Sequence, residues 1–373
     1  MSTALREFLE AQVSPRADGW DREQRLPREA VQRLLELGLL GGVVTPAGGE
    51  VDARTWGDAL EWVGAASFSL LSVFTVHAMC AHAVDRWAAP EVKREWLPQL
   101  ASGRQLGAFA LTEPAIGSDA KNVATRIEPE GDCWRVNGVK RWISAAGLAD
   151  VFVVIGRTAV GPTAVLVPRD APGLEVRPID GMLGLRAAQL GQLVLKDVRV
   201  PKAHLLGAER TGFSHVTGSA LDVGRFCIAC GCTGLIRACV RASVAYARDR
   251  VQFEVPLREH QLIQEMIAEM VTGYKASRAL WRHAAERRTQ GDPGSIVETT
   301  TAKYFASRAA SRAASDAVQI HGANGCGPDF PVQRYFRDAR IGEIIEGSNQ
   351  IQQLLIARDA QREFGVPRGK RTS

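Results

Sequence analysis

The spacing of apolar residues divides the chain into two helical regions separated by a region of strands. In the first hundred residues, Pro27 suits the first turn of a helix that ends before Gly41, Ser67–Trp87 forms a long apolar helix, and Pro90 opens another. From Gly212 onward the helical period returns. It predicts a helix with one apolar stripe and an alanine-rich helix over Thr299–Ile320. The stripe consists of Leu262, Ile263, Met266, Ile267, Met270 and Tyr274.

Between these regions the apolar period shortens toward two, as in strands. Asn137-Gly138 lies between two such runs and predicts a hairpin with a type I′ turn, because both residues accept positive φ angles. Prolines punctuate the remaining strands, which are predicted at Val151–Ile155, Thr163–Val167, Leu174–Val176 and Gln192–Leu195.

These patterns predict an α+β, mostly helical fold. At 373 residues the chain is too long for one simple core. We therefore expect an N-terminal helical domain over 1–104, a middle β domain over 105–211 and a C-terminal helical bundle over 212–373.

Composition and charge narrow the functional classes. Apolar residues make up 46% and charged residues 23%, as in soluble enzymes, and no apolar run is long enough to span a bilayer. The N-terminus has charges and no apolar core of a signal peptide, so we expect a cytoplasmic protein. The net charge is +5, and the basic residues are interleaved with acidic ones and not clustered. This argues against a nucleic-acid surface, whereas a mildly basic protein suits an anionic partner.

The seven cysteines predict neither disulfides nor a metal site. An odd number without a signal peptide argues against a disulfide framework. Cys227 and Cys230 form a C-x-x-C, but no second pair has ligand spacing and the surrounding sequence is that of an apolar helix. We expect buried thiols there. A phosphate-binding loop and a dinucleotide fingerprint are both missing from the sequence.

One carboxylate, Glu346, has a setting suited to proton abstraction. It lies between apolar Ile344-Ile345 and a polar turn, in a segment whose Arg337, Asp338 and Arg340 can pair locally. Partial desolvation raises the pKa of a carboxyl and suits it to act as a base. The alternative interpretation is a surface glutamate near a helix start.

The segment containing Glu346, residues 335–358, resembles the C-terminal signature of the acyl-CoA dehydrogenases. The resemblance covers nearly the whole chain. It implies an N-terminal helical domain, a middle β-barrel and a C-terminal four-helix bundle, with FAD as cofactor. It also implies that Glu346 is the catalytic base, that Gly347 and Arg225 contact substrate, and that Ser348 and Gln350 contact the cofactor. Isovaleryl-type relatives carry the base just before this arginine, where the chain has Gly224.

Two segments of the middle region resemble the family's flavin-binding segments. The first is Ala108–Ala120, which reads AFALTEPAIGSDA, and the second is Trp142-Ile143-Ser144. Hydroxyl groups and a Gly-Ser turn can bond a ring carbonyl or a phosphate. By this resemblance the flavin contacts are Leu111, Thr112, Gly117, Ser118, Trp142, Ile143 and Ser144.

Two helical-region segments resemble those that hold the FAD of a neighbouring subunit. They imply a homodimer or homotetramer, and the residues concerned are Arg250, Gln252, Phe253, Gln261, Gln319 and Gly322. Glu254 departs from the pattern, because it occupies a place where the family usually has glycine.

The resemblance also implies the reaction. Glu346 removes the α-proton of an acyl thioester, its own backbone N–H and a ribityl hydroxyl meet the enolate oxygen, and flavin N5 receives a hydride from the β-carbon. An electron-transfer flavoprotein is the expected electron acceptor.

The acyl group is left open by the sequence. Ile345 replaces a common tyrosine and Ala187-Ala188 a common Gly-Ser, which suggests a specialised member. The chain is also similar to dehydrogenases that act on acyl carrier proteins in hydroxymalonyl or methoxymalonyl extender-unit biosynthesis for polyketide antibiotics. An acyl-CoA substrate is the alternative. Two other classes stay open, namely an oxidase on the same fold, acting on thioesters or nitroalkanes, and a catalytically silent flavin-binding protein.

Overall fold

The computed structural model describes residues 3–44 and 51–365 of the chain. Its helices fall into an N-terminal group and a C-terminal group. The N-terminal helices are α1 (Thr3–Phe8), α2 (Ala17–Glu23), α3 (Arg28–Glu36), α4 (Ala53–Ala66), α5 (Phe68–Trp87) and α6 (Pro90–Ala101). The C-terminal helices are α7 (Gly218–Asp249), α8 (Gln261–Thr289), α9 (Ser295–His321), α10 (Val332–Gly342) and α11 (Asn349–Glu363).

The strands lie between these two groups and form one sheet. They are β1 (Gly107–Ala110), β2 (Arg126–Glu130), β3 (Cys133–Ile143), β4 (Val151–Thr158), β5 (Gly161–Pro168), β6 (Leu174–Pro178), β7 (Gly191–Pro201) and β8 (Leu205–Leu206). The order across the sheet is β6-β7-β3-β2-β4-β5-β8, and β1 pairs in parallel with β4. A separate two-stranded hairpin, β9 (Val251–Gln252) and β10 (Val255–Pro256), follows α7.

The predicted α+β, mostly helical fold is confirmed, and so are the helices and strands predicted from apolar spacing. The domain boundaries at 105 and 212 stay a prediction, and residues 366–373 of the third predicted domain lie outside the described residues. The predicted buried thiols are confirmed as well, since Cys227 and Cys230 are free and buried in α7.

The predicted hairpin at Asn137-Gly138 is wrong. Both residues lie inside the continuous strand β3, at a bulge in its pairing with β7, and the reversal occurs before Cys133, which pairs with Glu130. A Cβ on Gly138 would lie 2.4 Å from Thr125 Oγ1, so close approach explains the glycine. An Asn-Gly pair satisfies a bulge as well as a turn, and local sequence does not separate the two.

Close approach of helix backbones builds the bundle of α4, α7, α8 and α9. A Cβ on Gly64 would lie 2.4 Å from the Gly231 carbonyl oxygen, and one on Gly234 would lie 1.9 Å from that of Glu61. Glycine at these positions therefore lets α4 and α7 come close together. The expectation that no apolar run could span a bilayer is wrong for the described part of the chain, because α5 and the segment Gly212–Asp249 are apolar and long enough to cross one. However, 89% of each such window is buried inside the protein, as in core helices.

Long-range ion pairs position α10, the helix before Glu346. Arg334 pairs with Asp18 at 2.7 Å and Arg337 with Asp21 at 2.6 Å, both on α2. Asp338 accepts a 2.7 Å hydrogen bond from the Leu185 N–H of the β region. The predicted local network of Arg337, Asp338 and Arg340 is therefore wrong, because two of its members bind residues distant in sequence.

Candidate active site

Glu346 lies on a tight turn between α10 and α11, with its carboxyl group directed at α7. Glu346 and Gly347 have φ angles of +54° and +87°, a left-handed pair that reverses the chain. A Cβ on Gly224 of α7 would lie 2.3 Å from Glu346 Oε2 and 2.9 Å from Met79 Sδ. The carboxylate therefore occupies space that any other residue at position 224 would fill. Positions 224 and 346, the two places where a base was considered, are therefore adjacent in the folded chain.

Burial of this carboxyl group makes it a base suited to neutral pH. Its Oε2 atom is buried and has no hydrogen-bond partner among the described residues, although other parts of the residue are accessible. Desolvation raises the pKa of Glu346 from 4.5 to about 7, and the positive charges of Arg225 and Lys303 oppose that rise. The group therefore exchanges its proton near neutrality.

Polar side chains hold the turn in place. Lys303 Nζ donates to the Gly347 carbonyl at 3.0 Å and to Asn349 Oδ1 at 3.2 Å. Arg225 Nε donates to the Glu346 carbonyl at 3.2 Å, and Gln352 Nε2 donates to that of Gly347 at 2.8 Å. Lys303 is fully buried, and this desolvation lowers its pKa to about 8. These bonds fix the backbone that carries the carboxylate.

Sequence reasoning found the carboxylate but not all that surrounds it. It missed Lys303 and Gln352, and the only available signal was a single lysine in the alanine-rich α9. The apolar wall predicted from Ile344 is wrong, because that side chain is 52% exposed. Gly224 and Met79 of other helices enclose the carboxylate instead.

The two middle-region segments predicted to contact flavin lie side by side. The Arg141 N–H donates to the Thr112 carbonyl at 2.9 Å, which joins the residues after β1 to the end of β3. Trp142 has a φ of +64° and is 44% exposed, whereas Ile143 is buried. Leu111, Thr112 and Ser144 are partly exposed, and Gly117 and Ser118 are exposed.

A buried ion pair fixes this pair of segments, and sequence reasoning missed it. Lys140 Nζ donates to Glu113 Oε1 at 2.8 Å and to the Leu111 carbonyl at 2.9 Å. Glu113 also accepts from Thr125 and from the Ala124 N–H. Burial alone would raise the pKa of Glu113, but these hydrogen bonds outweigh it and lower the pKa.

The residues predicted to hold a neighbouring subunit's cofactor lie at one end of the bundle. Tyr246, in the last turn of α7, stacks on His321 at 4.2 Å and accepts a 2.9 Å bond from Asn324 Nδ2. The loop after α9 therefore lies beside the end of α7, where Arg250 begins the β9–β10 hairpin. The predicted residues here are all exposed, namely Arg250, Gln252, Phe253, Gln261, Gln319 and Gly322.

The turn of the β9–β10 hairpin carries backbone strain. Phe253 and Glu254 have φ angles of +50° and +68°, which non-glycine residues rarely adopt. Phe253 is 89% exposed. On the other side of the site, Ser348 precedes the first residue of α11 and Gln350 is exposed in its first turn.

The residues predicted to contact flavin have hydrogen-bond donors that fit a flavin nucleotide. The Thr112 and Ser144 hydroxyls make no hydrogen bond within the described residues, and their backbones lie near the exposed Trp142, since Thr112 bonds Arg141 and Ser144 is two residues beyond Trp142. A Cβ on Gly117 would meet nothing within 4 Å, so the loop that carries it is open. Free hydroxyls beside an exposed aromatic suit a flat ring with carbonyl acceptors, and an exposed arginine suits its phosphates. The described residues hold no group of three metal-binding side chains.

A cavity of about 780 Å³ is lined in part by Arg225, the residue that bonds the Glu346 carbonyl. Five arginines and two aspartates line it, a net formal charge of +3 with both of its histidines neutral. They are Arg86, Arg225, Arg288, Arg358, Arg362, Asp222 and Asp359. Arg225, which bonds the Glu346 carbonyl, is buried, whereas Arg86, Arg358 and Arg362 are exposed. The cavity therefore extends from solvent-exposed arginines to Arg225, which is in contact with the Glu346 turn.

Comparison with known proteins agrees with this geometry. Three family models match the chain: the acyl-CoA dehydrogenase N-terminal domain at residues 1–104, middle domain at 108–198 and C-terminal domain at 210–361. Glutaryl-CoA dehydrogenase of Desulfococcus multivorans is 35% identical over 98% of this chain and 96% of its own.

Solved structures give the same result. A glutaryl-CoA dehydrogenase of Mycobacterium smegmatis in complex with FADH2 has a TM-score of 0.91 and 30% identity, covering 96% of this chain and 92% of its own. FkbI, described as acting in biosynthesis of the methoxymalonyl extender unit of the polyketide FK520, has a TM-score of 0.88 and 33% identity, covering 97% and 99%. The prolyl acyl carrier protein oxidase AnaB has a TM-score of 0.89 and 26% identity, covering 95% and 96%.

These matches cover nearly the whole chain, and they show that it belongs to the acyl-CoA dehydrogenase family of FAD-dependent oxidoreductases acting on CH–CH groups.

Proposed function

We propose that this chain oxidises the Cα–Cβ bond of a small acyl group carried as a thioester on an acyl carrier protein, and that Glu346 removes the α-proton. One observation carries the proposal. The Glu346 Oε2 atom is buried without a partner in the described structure, and the pKa of the group is raised to about 7. Such a base is ionised often enough at neutral pH and is basic enough to take a carbon-bound proton.

The surrounding residues position this base and the thioester. Arg225 and Lys303 hold the turn through the Glu346 and Gly347 carbonyls. The Glu346 amide N–H has no acceptor among the described residues. It is available to the thioester oxygen, whose negative charge grows as the proton leaves.

The remaining predicted residues hold the cofactor. Thr112, Ser144 and Trp142 would contact its ring, and Arg250 with Gln319 would contact the cofactor of a neighbouring copy in a homodimer or homotetramer. When bound, FAD supplies the acceptor for the hydride that leaves the β-carbon. The α-proton goes to Glu346, and a C=C bond is left in the acyl group.

Close packing behind the base supports a small acyl group. A Cβ on Gly231 would lie 1.9 Å from Leu71 Cδ2, so α5 and α7 are in close contact about two helical turns beyond Gly224. Thr75 and Cys227, from the same two helices, are also buried there. A long acyl chain on this side would have to separate the two helices.

The charged cavity supports an anionic carrier arm. Its volume lies within the usual range for ligand sites, and its net positive charge suits a phosphate-bearing pantetheine arm. The buried Asp222 Oδ1 has no partner among the described residues and can accept an amide N–H of such an arm. Likeness to FkbI and AnaB supports the carrier-bound form. Likeness to the glutaryl-CoA dehydrogenase supports the alternative, an acyl-CoA.

Anaerobic bleaching of the bound flavin tests the proposal. One short acyl group, butyryl or a hydroxylated analogue, is offered on an acyl carrier protein and then on coenzyme A. We expect faster bleaching with the carrier-bound thioester, and a loss of bleaching with both in Glu346→Gln. Equal or faster bleaching by the coenzyme A thioester would instead assign the chain to acyl-CoA metabolism.

The reduced protein then distinguishes a dehydrogenase from an oxidase. A dehydrogenase stays reduced in air and passes electrons to an electron-transfer flavoprotein, which is the acceptor we propose. Rapid reoxidation by oxygen would indicate an oxidase, and absence of bleaching by any thioester would indicate a silent flavin-binding protein.

A further inference from the structure

The cavity that leads to the Glu346 turn opens at a rim of exposed arginines. This arginine rim consists of Arg86 on α5 and of Arg358 and Arg362 on α11, and all three line the cavity. None of them pairs with a carboxylate among the described residues. Some exposed arginines pair, such as Arg177 with Glu175 at 2.7 Å, and others such as Arg126 and Arg157 do not, so the rim differs by gathering three unpaired arginines at one cavity. Asp359 of α11 also lines the cavity, so the three rim arginines and this carboxylate together carry a net formal charge of +2.

The arginines deeper in the cavity already have hydrogen-bonding or ion-pair partners. Arg288 pairs with Asp222, and Arg225 donates to the Glu346 carbonyl. Both side chains are largely enclosed, whereas the rim arginines face solvent. An anionic surface that stays outside the cavity would therefore meet the rim, and only a slender arm would pass inside.

The distance along α11 separates the rim from the base. Arg362 lies about 20 Å along the helix axis from Asn349, which follows the Glu346 turn, at about 1.5 Å rise per residue. A carrier resting on the rim therefore needs an extended arm to bring its acyl group to Glu346. The body that carries the arm then rests against the arginines.

We propose that the arginine rim is the docking surface for an acidic carrier protein, whose pantetheine arm enters the cavity. This inference rests on the proposed function and adds where and by what chemistry the partner binds. Cations on two different helices suit a broad acidic protein surface. They steer its approach, so their effect falls as salt screens them.

The test compares a butyryl group on a free-standing acyl carrier protein with the same group on free pantetheine, which has neither phosphate nor protein. The Arg86→Glu/Arg362→Glu double variant is set against Arg157→Glu, an exposed arginine of β4 outside the cavity. We expect kcat/KM for the carrier-bound group to fall at least tenfold in the double variant, and to become less sensitive to salt. Turnover of butyryl-pantetheine and the control variant should stay within twofold of the wild type.

Each other outcome overturns the inference in a distinguishable way. Unchanged turnover of the carrier-bound group by the double variant would refute docking at the rim while leaving the proposed function intact. An equal loss with butyryl-pantetheine would show that the arginines serve the arm or the fold. A loss with butyryl-coenzyme A as large as with the carrier would show that the rim binds phosphate. Failure of the wild type to oxidise the carrier-bound group would refute the proposed function itself.

Discussion

Titration of Glu346 gives a measurable pH dependence to proton abstraction. With a pKa of about 7, roughly one tenth of this carboxyl is ionised at pH 6 and roughly nine tenths at pH 8. The second-order rate constant of flavin bleaching at low substrate concentration reports the free enzyme. We therefore expect it to rise about tenfold between these two pH values. A carboxyl with the ordinary value of 4.5 would give a flat profile over this range.

The same pKa makes a stability prediction with a definite sign. Because the folded-state pKa lies above the unfolded value, the folded state holds the proton more tightly, and the associated stability is lost as the pH rises from 4.5 to about 7. Glu346→Gln removes this loss. The variant should therefore gain about 3 kcal/mol of unfolding free energy relative to wild type at pH 8, and little at pH 4.5.

Rapid-mixing absorbance under anaerobic conditions, with denaturant unfolding of the holoprotein, measures both effects. Glu346→Gln should slow bleaching by about 10² to 10⁴-fold, the usual contribution of a general base. Glu343→Gln is the matched control, because Glu343 pairs with Arg340 at 2.6 Å on the same segment, away from Gly224. Unchanged bleaching in Glu346→Gln, or a flat wild-type profile from pH 6 to 8, would refute the assignment of this base.

Three further substitutions test the site. Lys303→Met removes the ammonium donor to Gly347, so denaturation should show a fold less stable by about 1–3 kcal/mol. Rate measurements should show the pH profile of bleaching shifted upward, because the positive charge of Lys303 lowers the pKa of Glu346. An unshifted profile would contradict this electrostatic role. Gly224→Ala puts a Cβ 2.3 Å from the Glu346 carboxylate and should slow bleaching at least tenfold, whereas Gly19→Ala, with nothing within 4 Å, should not. Glu254→Gly relieves a φ of +68° that costs about 1–2 kcal/mol, and it removes a negative charge near the proposed cofactor site. FAD should therefore dissociate more slowly when the protein is diluted. Faster loss of FAD would contradict this placement.

Much of the fold was predictable because it depends on local periodicity. The apolar stripe of Ile263, Met266, Ile267 and Met270 predicted α8, although Leu262 beside it is 71% exposed, and the run of apolar residues from Val151 predicted β4, which is buried at six successive positions. Asn137-Gly138 misled the prediction because its partner strand, and not its own chemistry, decides between a turn and a bulge.

The candidate site was only partly predictable. Glu346 was recognisable because it lies in a segment that resembles the signature of a family, and the residues proposed to contact flavin were identified for the same reason. Lys303 and Gln352 were not, since they act through backbone carbonyls, which any residue can present. The buried Glu113–Lys140 pair was missed because its two members are far apart along the chain and meet only through the pairing of strands.

The sequence alone determined the order of helices and strands, the family resemblance and the identity of the residues able to do chemistry. Only the tertiary structure decided what those residues can do. It placed Gly224 of α7 against the Glu346 carboxylate, removed that group from water and so raised its pKa to about 7. It also gathered arginines from α5 and α11 at one cavity mouth. The physical reason is that desolvation and charge density depend on distances in space, which distant residues along a chain acquire only when it folds.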